Sequence, residues 1–182
     1  MGKRVFIAID LPDDIKDGIL EVLSIWKNKL KFPIRWIKPE NWHLTLVFLG
    51  YQQIEDIKLI EEKIKPIVST FKNFEINLDK IIYGPPGKPP RMIWVKAQSP
   101  EYNVLKESIE SGLIKAGIKF KKEIRSPNPH LTLARFQESI RIFPEINTQV
   151  DLSFKVEKIV LMESQLKSSG AEYIPLNYFN LL

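Results

Sequence analysis

Both histidines of this 182-residue chain lie in one repeated phrase, which reads NWHLTL around His43 and NPHLTL around His130. Each is followed two positions later by a threonine, Thr45 or Thr132, although the chain has only four threonines. Imidazole has an unperturbed pKa of about 6.5, so it accepts or donates a proton near neutral pH. Two imidazoles suit general base and general acid catalysis at a phosphorus centre, where hydroxyls hydrogen-bond the non-bridging oxygens. The repeated phrase therefore predicts cleavage of a phosphodiester by in-line attack.

Each copy of HLTL is typical of a β-strand, in which successive side chains point to opposite faces. The histidine and threonine of a copy then share one face, and its two leucines share the other, where they anchor the strand. Pro129 removes a backbone donor and disfavours helix at Asn128, so the second strand is extended from its start. Asn41 takes the matching place in the first copy. If two lobes bring these strands side by side, the four polar side chains converge in one small volume.

Other kinds of catalytic site fit the sequence less well. Neither histidine has a helical i,i+4 partner or a neighbouring carboxylate pattern, so we expect no metal site. The chain has no cysteine, which excludes disulfides, thiolate ligands and a catalytic thiol. It lacks a G-x-S-x-G elbow for a serine nucleophile, and the run GPPGKPP has too much proline for a phosphate-binding loop.

Composition indicates a soluble globular protein whose charge suits a polyanionic partner. Apolar residues make up 44% of the chain, which is enough to form a core. Lysine and arginine number 27 against 22 acidic residues, giving a net charge of +5 and a pI of 9.3. This balance favours nucleic acid through counterion release, but a basic soluble surface accounts for it equally well. The apolar run from Val5 to Ile9 is too short for a signal peptide or a membrane span, so we expect a cytoplasmic protein.

Hydrophobic periodicity predicts both helices and strands. Helical spacing of apolar residues predicts three helices, which begin near Asp13, Glu55 and Glu101. Runs rich in strand-forming residues predict extended segments at 4–9, 34–38, 43–50, 74–84, 91–97, 130–136, 150–164 and 171–179. We expect Gly50 to end the third strand, Gly117 to end the third helix, and a turn at 168–170 to join the last two strands.

The order of strand, helix and HLTL strand occurs twice, which indicates an internal duplication. We expect one domain made of two pseudo-repeat halves, roughly 1–84 and 91–182. The run PPGKPP at 85–90 has too much proline for a helix or a strand, so we expect it to be an exposed connector between two lobes. Two copies are too few for a solenoid and suit two facing lobes instead.

Several segments of the chain together resemble one known group of enzymes. The phrases NWHLTLVFLG and HLTLARF, the opening RVFIAIDLP and the closing SQLKSSGAEYIPL resemble the 2H phosphoesterase superfamily, and within it the RNA 2′,3′-cyclic phosphodiesterase (2′-5′ RNA ligase-like) family. The resemblance covers essentially the whole chain. It implies a bilobal, duplicated α+β fold, in which each lobe has an antiparallel sheet with outer helices and the two HxTx strands line a central cleft. It also implies metal-independent hydrolysis of an RNA 2′,3′-cyclic phosphate end to a 2′-phosphomonoester, without a cofactor.

The resemblance also implies a role for each polar residue of the repeated phrase. His43 resembles the proton donor to the departing 3′ oxygen, and His130 resembles the proton acceptor that activates water. Thr45 and Thr132 resemble the residues that hold the phosphate oxygens, and Arg135 resembles an arginine that steadies the phosphate charge. Strict alternation places Arg135 on the leucine face. Either a bulge or the end of the strand re-aims it, or it is a surface ion-pair residue.

Some interpretations stay open at this point. Trp36, Trp42, Tyr83 and Trp94 can stack a terminal base or pack in the core, and the run KFKKEIR at 119–125 can contact an RNA backbone or form a solvated surface. The substrate can instead be a 2′-5′ oligonucleotide, cleaved or ligated, or a cyclic ADP-ribose phosphate. A non-enzymatic module that binds RNA ends fits the same features. We expect a monomer that acts on RNA ends with a 2′,3′-cyclic phosphate, including tRNA-derived ends, without a membrane.

Overall fold

The computed structural model describes residues 2–27, 29–122, 128–137, 144–146, 148–167 and 170–182. Within these ranges the helices are α1 (Asp13–Lys27), α2 (Ile54–Val68) and α3 (Pro100–Lys115). The strands are β1 (Lys3–Asp10), β2 (Arg35–Trp36), β3 (His43–Gln52), β4 (Phe74–Gly84), β5 (Met92–Gln98), β6 (His130–Arg135), β7 (Thr148–Val156), β8 (Lys158–Lys167) and β9 (Gly170–Asn180). The three predicted helices are confirmed. None of the helices described is long and apolar enough to cross a membrane.

The strands form one antiparallel sheet in the order β7-β4-β5-β6-β3-β1-β8-β9, with β2 paired to β6. The expected α+β class and antiparallel sheet are confirmed. The motif strands β3 and β6 are neighbours at the centre, where Leu44 pairs with Leu131. On its other edge β3 pairs with β1, and on its other edge β6 pairs with β5. We call β3, β1, β8 and β9 the His43 side of the sheet, and β6, β5, β4 and β7 the His130 side.

One face of the sheet packs against the helices and forms the main core. In β1 this face carries Val5, Ile7 and Ile9, which are fully buried. Apolar residues spaced three or four apart form the stripe that each helix turns toward the sheet. They are Ile15, Ile19 and Leu23 in α1, Ile57, Ile60 and Ile64 in α2, and Leu105, Ile109 and Leu113 in α3. Burial of these stripes assigns one face of the sheet to the helices and leaves the other for a site.

The face opposite the helices carries a smaller apolar cluster on the His43 side. Alternation in β1 places Phe6 and Ala8 on this face, where they pack with Val160 and Met162. The half-buried ring of Tyr173 packs against the same cluster. The cluster gives this part of the open face an apolar floor.

Strand β3 does not end at Gly50, contrary to our prediction. It runs on to Gln52, and Gly50 lies inside it with φ of 73°. Between the pairs Val5 with Gly50 and Phe6 with Phe48, β3 carries one residue more than β1, so the strand has a bulge there. Glycine adopts a positive φ without strain, so it lets the ladder resume after the bulge.

Residues 150–164 form parts of two strands rather than one long one. Strand β7 ends at Val156 and pairs with β4, whereas β8 begins at Lys158 and pairs with β1 and β9. The two strands therefore lie at different ends of the sheet. Because Glu157 stands at the break without a neighbouring glycine or proline, the sequence pattern gives no signal for it. The predicted turn at Ser168 and Ser169 lies outside the described residues.

The proline-rich segment 85–90 joins two neighbouring strands instead of two lobes. Strands β4 and β5 pair up to Gly84 and Met92, so the largely exposed segment is the loop of a hairpin. Strands from the two halves of the sequence are interleaved in the sheet. The first half supplies β4 to the His130 side, and the second half supplies β8 and β9 to the His43 side.

Candidate active site

The two motif strands present their polar side chains on the face away from the helices. His43, His130 and Thr132 are half-buried and Thr45 is exposed, whereas the two leucines paired at the junction are fully buried. Continuing the antiparallel register through that leucine pair sets His43 opposite Thr132 and Thr45 opposite His130. The four residues singled out by the repeated phrase therefore lie close together on one face.

A backbone carbonyl orients each histidine in the same way. Nδ1 of His43 is 2.9 Å from the carbonyl oxygen of Asn41, and Nδ1 of His130 is 2.8 Å from that of Asn128. A carbonyl oxygen only accepts hydrogen bonds, so Nδ1 carries the proton in both rings. The atom that exchanges a proton with substrate is then Nε2. The matching asparagines thus contribute through their backbone.

Aromatic rings and a cavity surround His43. The ring centroid of His43 is 4.8 Å from that of Phe6 and 4.9 Å from that of Tyr173. A cavity of about 200 Å³ opens beside the imidazole, and Asp10 and Tyr178 are among its other lining residues. This arrangement leaves room for a substrate group against one edge of the ring.

The charge state of His43 reflects several opposing influences. Burial lowers the pKa of His43 below its ordinary value, because desolvation disfavours the charged imidazolium. The Asn41 carbonyl and the Asp10 carboxylate act in the opposite direction and raise that pKa. His130 and Arg135 lower the pKa of His43 further through their positive charge. Both groups of the second motif strand therefore act electrostatically on the first.

His130 lies against a different kind of surface. The indole of Trp94 stacks on its ring with a centroid distance of 3.7 Å and an angle of 22° between the planes. In the β5–β6 ladder Trp94 pairs with Thr132 and Lys96 pairs with His130, so Lys96 shares the face of the imidazole. The Lys96 ammonium lies 3.9 Å from the Asp79 carboxylate on β4.

Gly84 provides the space that the Trp94 indole occupies. A Cβ added at Gly84 would stand 2.3 Å from the Cδ2 atom of Trp94, well inside van der Waals contact. The glycine is therefore required by close approach of a ring. In this way the end of β4 supports the stack on His130.

A bulge decides the direction of Arg135. Between Thr132 and Ala134, β6 has one residue more than β5, Leu133. Leu133 and Ala134 are both fully buried, and Arg135 that follows them is exposed. The bulge shifts the alternation by one residue and so returns Arg135 to the face of His130, the first of the alternatives left open by the sequence. Its effect on the pKa of His43 agrees with that placement.

Of the four aromatic candidates, two have clear structural roles. Trp42 is only 1% exposed, and its indole N–H donates to the Ile37 carbonyl at 2.9 Å, so it belongs to the core. Trp94 packs on His130, as described above. Trp36 and Tyr83 are half-buried side chains packed against the core, and base stacking by either stays a prediction. In the basic run 119–125, the three lysines are exposed, and its last three residues lie outside the described part of the chain.

Four residues beside the histidines were missed by the sequence reasoning. They are Phe6, Asp10, Lys96 and Tyr173. Each reaches the site through pairing between strands that are distant in sequence, and the only local signal was the alternation within β1 and β5. Within the described ranges, no three His, Asp or Glu side chains form a group that would hold a metal ion.

Comparison with known proteins identifies the family of this chain. The family model for LigT-like phosphoesterases matches residues 9–94. A Methanocaldococcus jannaschii protein named RNA 2′,3′-cyclic phosphodiesterase is 31% identical, over 93% of this chain and 96% of that protein. The chain belongs to the LigT-like phosphoesterase family. A Methanothermobacter thermautotrophicus protein of the same name is 26% identical to this LigT-like phosphoesterase over 100% of both sequences.

Solved structures share the fold of this LigT-like phosphoesterase. Escherichia coli LigT complexed with 3′-AMP matches it with a TM-score of 0.79 and 26% identity, over 100% of this chain and 99% of that one. The Thermus thermophilus protein TT0787 matches with a TM-score of 0.85 at 24% identity, over 97% of each chain. The likeness extends over the whole sheet, including both motif strands.

Proposed function

We propose that this protein hydrolyses RNA 2′,3′-cyclic phosphate ends to 2′-phosphomonoesters and 3′-hydroxyls. The observation that carries the proposal is the pair of HxT strands joined at the centre of the sheet, with both imidazoles oriented by a backbone carbonyl through Nδ1. Relatives named RNA 2′,3′-cyclic phosphodiesterase support the same substrate class. A cyclic phosphodiester needs a base on one side of phosphorus and an acid on the other, and this face supplies both.

In the proposed mechanism, the two histidines act on opposite sides of the phosphorus. Neutral His130 accepts a proton from water at Nε2 while the water oxygen attacks phosphorus. Protonated His43 donates its Nε2 proton to the 3′ oxygen as the bond from phosphorus to that oxygen breaks. After one turnover the two rings have exchanged protonation states, so a proton returns through solvent before the next.

Three further side chains stabilise the charge that develops on the phosphate. The hydroxyls of Thr45 and Thr132 donate to the non-bridging oxygens, because each lies on the face of its own histidine. The guanidinium of Arg135, turned to the same face by the bulge, attracts the anion. These contacts strengthen as negative charge grows in the transition state, and this differential binding accelerates the reaction.

The decisive experiment measures hydrolysis of a nucleoside 2′,3′-cyclic phosphate and of an RNA with a 2′,3′-cyclic end, in EDTA, with product analysis. We expect His43→Ala and His130→Ala each to lose about 10²- to 10⁴-fold in kcat, or about 3 to 5 kcal/mol of barrier. Tyr51→Ala is the matched control, because Tyr51 lies on β3 and is 75% exposed. Wild-type rates in either histidine variant would overturn the mechanism, and a requirement for added metal would overturn its metal independence.

The same assay separates the alternative substrates. A panel of 2′-5′-linked oligonucleotides and cyclic ADP-ribose phosphates tests whether this protein acts on the substrates that other members of the superfamily take. Tight binding of cyclic-phosphate RNA without product over hours would indicate a binding module instead.

We also propose that the enzyme acts as a monomer on cytoplasmic RNA ends, including tRNA-derived ends. Both histidines come from one chain, which supports the monomer, and light scattering during size-exclusion chromatography tests it.

A further inference from the structure

The two motif strands repeat the same residues, but their neighbours carry opposite charges. In the β1–β3 ladder His43 pairs with Asp10, and in the β5–β6 ladder His130 pairs with Lys96. Directly opposed residues of an antiparallel ladder share a face, with Cβ atoms about 4.5 to 5.5 Å apart. The sheet therefore sets a carboxylate beside one imidazole and an ammonium beside the other. No signal in the repeated phrase itself distinguishes the two histidines in this way.

Asp10 is held at the end of β1, where the strand turns into α1. Its Oδ1 accepts a hydrogen bond from the Leu11 backbone N–H at 2.8 Å and lies 3.4 Å from the Lys16 ammonium. Asp10 and His43 line the same cavity. Within the described part of the chain, Asp10 is the one acid whose charge raises the pKa of the His43 imidazole. His130 and Arg135 from β6 lower that pKa, and Lys16 from α1 partly offsets the carboxylate.

Lys96 occupies the corresponding place on the His130 side. Its side chain is 38% exposed, it pairs with His130 in the ladder, and its ammonium lies 3.9 Å from the carboxylate of Asp79. Gln98 donates to the same Asp79 oxygen at 3.1 Å, so the carboxylate is shared between two partners. A cation beside His130 disfavours a second positive charge on the ring. His43 across the junction, when protonated, acts in the same direction.

We propose that Asp10 and Lys96 set the direction of proton transfer by acting through the histidines. Asp10 stabilises protonated His43 as the acid, and Lys96 stabilises neutral His130 as the base. This inference rests on the proposed function. It gives a reason within this chain for the assignment of roles, which the sequence alone leaves to the family resemblance.

The direct test is a titration of both histidines by NMR, because the chain has only two. The imidazole Cε1–H signals of the wild type are assigned with His43→Gln and His130→Gln and followed against pH without substrate. In Asp10→Asn we expect the titration midpoint of His43 to fall and that of His130 to change much less. In Lys96→Met the midpoint of His130 rises while that of His43 stays nearly constant. Unchanged midpoints in both variants would overturn the inference.

A kinetic test asks whether the same charges act during turnover. The profile of kcat/KM against pH reports the acid and base of the free enzyme as a coupled pair. Asp10→Asn moves the basic limb to lower pH, so activity falls about 3- to 10-fold at pH 8 and by a smaller factor at pH 6. Lys96→Met moves the acidic limb to higher pH, so its loss is larger at pH 5.5 than at pH 8. Asp10→Glu restores the wild-type profile.

Matched controls separate this effect from the general charge of the surface. Asp14→Asn removes an exposed carboxylate in the first turn of α1, and Lys155→Met removes an ammonium whose side chain is 61% exposed. Both leave the profile unchanged. Absence of hydrolysis in the wild type contradicts the proposed function, whereas the titration midpoints still test the electrostatic inference. An active enzyme whose variants lose activity equally at every pH overturns the inference alone.

Discussion

The His43 side and the His130 side hold the same phrase by different means. Each motif strand has a bulge three residues after its histidine, at Leu46 in β3 and at Leu133 in β6. The carbonyl of Leu46 accepts from the ammonium of Lys106 on α3 at 2.8 Å. The carbonyl of Leu133 accepts from the backbone N–H of Ile37 at the same distance. One bulge is therefore supported by a buried charged side chain, and the other by the main chain next to β2.

The difference follows from what lies beside each strand. Strand β6 has β2 paired to it, which offers backbone donors, whereas the middle of β3 has α3 packed beneath it. From α3 the Tyr102 hydroxyl also donates to the Thr45 carbonyl. A bulge frees carbonyl groups from the ladder, and buried carbonyls need some donor. Both motif strands therefore have a bulge at the same place, and a different kind of donor satisfies the carbonyl group of each bulge.

The largest expected effect comes from breaking the support of β3. Lys106 and Glu110 form a buried ion pair at 2.8 Å, and Glu110 is 2% exposed. In Lys106→Met the Glu110 carboxylate keeps, among the described residues, only Lys122 at 3.6 Å, and the Leu46 carbonyl loses the Lys106 donor. We expect a loss of about 3 to 5 kcal/mol in the free energy of unfolding, measured by urea denaturation. Lys106→Met with Glu110→Gln recovers part of it, and a loss below about 1 kcal/mol for the single variant would contradict this account.

A second variant breaks the support of the other histidine. In Gly84→Ala the new methyl group would stand 2.3 Å from the Trp94 indole, which must move and take the His130 stack with it. We expect a stability loss of about 1 to 3 kcal/mol and a fall in kcat of about tenfold or more. Gly18→Ala is the control, because its methyl group meets only the end of the flexible Leu152 side chain, at 2.8 Å. Full activity of Gly84→Ala would mean that the stack does not position His130.

The sequence predicts what depends on neighbours along the chain and misses what depends on register. Alternation places His43 and Thr45 on one face because that follows from strand geometry alone. The bulge at Leu133 was only one of several options, since the sequence does not show where two strands fall out of step. The pairing of Asp10 with His43, and of Lys96 with His130, needs the order of strands as well. For the same reason, the sequence indicated a connector at 85–90 and did not show that this segment joins two paired strands.

The smallest expected effect is on the pH dependence of stability, which tests the surroundings of His43 without any measurement of activity. Burial lowers the pKa of His43 in the folded protein, so the folded state binds fewer protons than the unfolded state between that lowered pKa and about 6.5. Stability contributed by neutral His43 is therefore present above pH 6.5 and is lost as pH falls through that window. We expect the urea midpoint of the wild type to drop more between pH 8 and pH 5.5 than that of His43→Gln, in which the titrating group is absent. Carboxylates contribute equally to both proteins, so their effect cancels in the comparison. Glu163 is one of them: its hydrogen bond from Lys3 lowers its pKa, and its contribution to stability is lost at more acidic pH. An equal drop in both proteins would mean that desolvation of His43 is fully offset by Asp10 and the Asn41 carbonyl, and that the two histidines differ less in the free enzyme than their surroundings indicate.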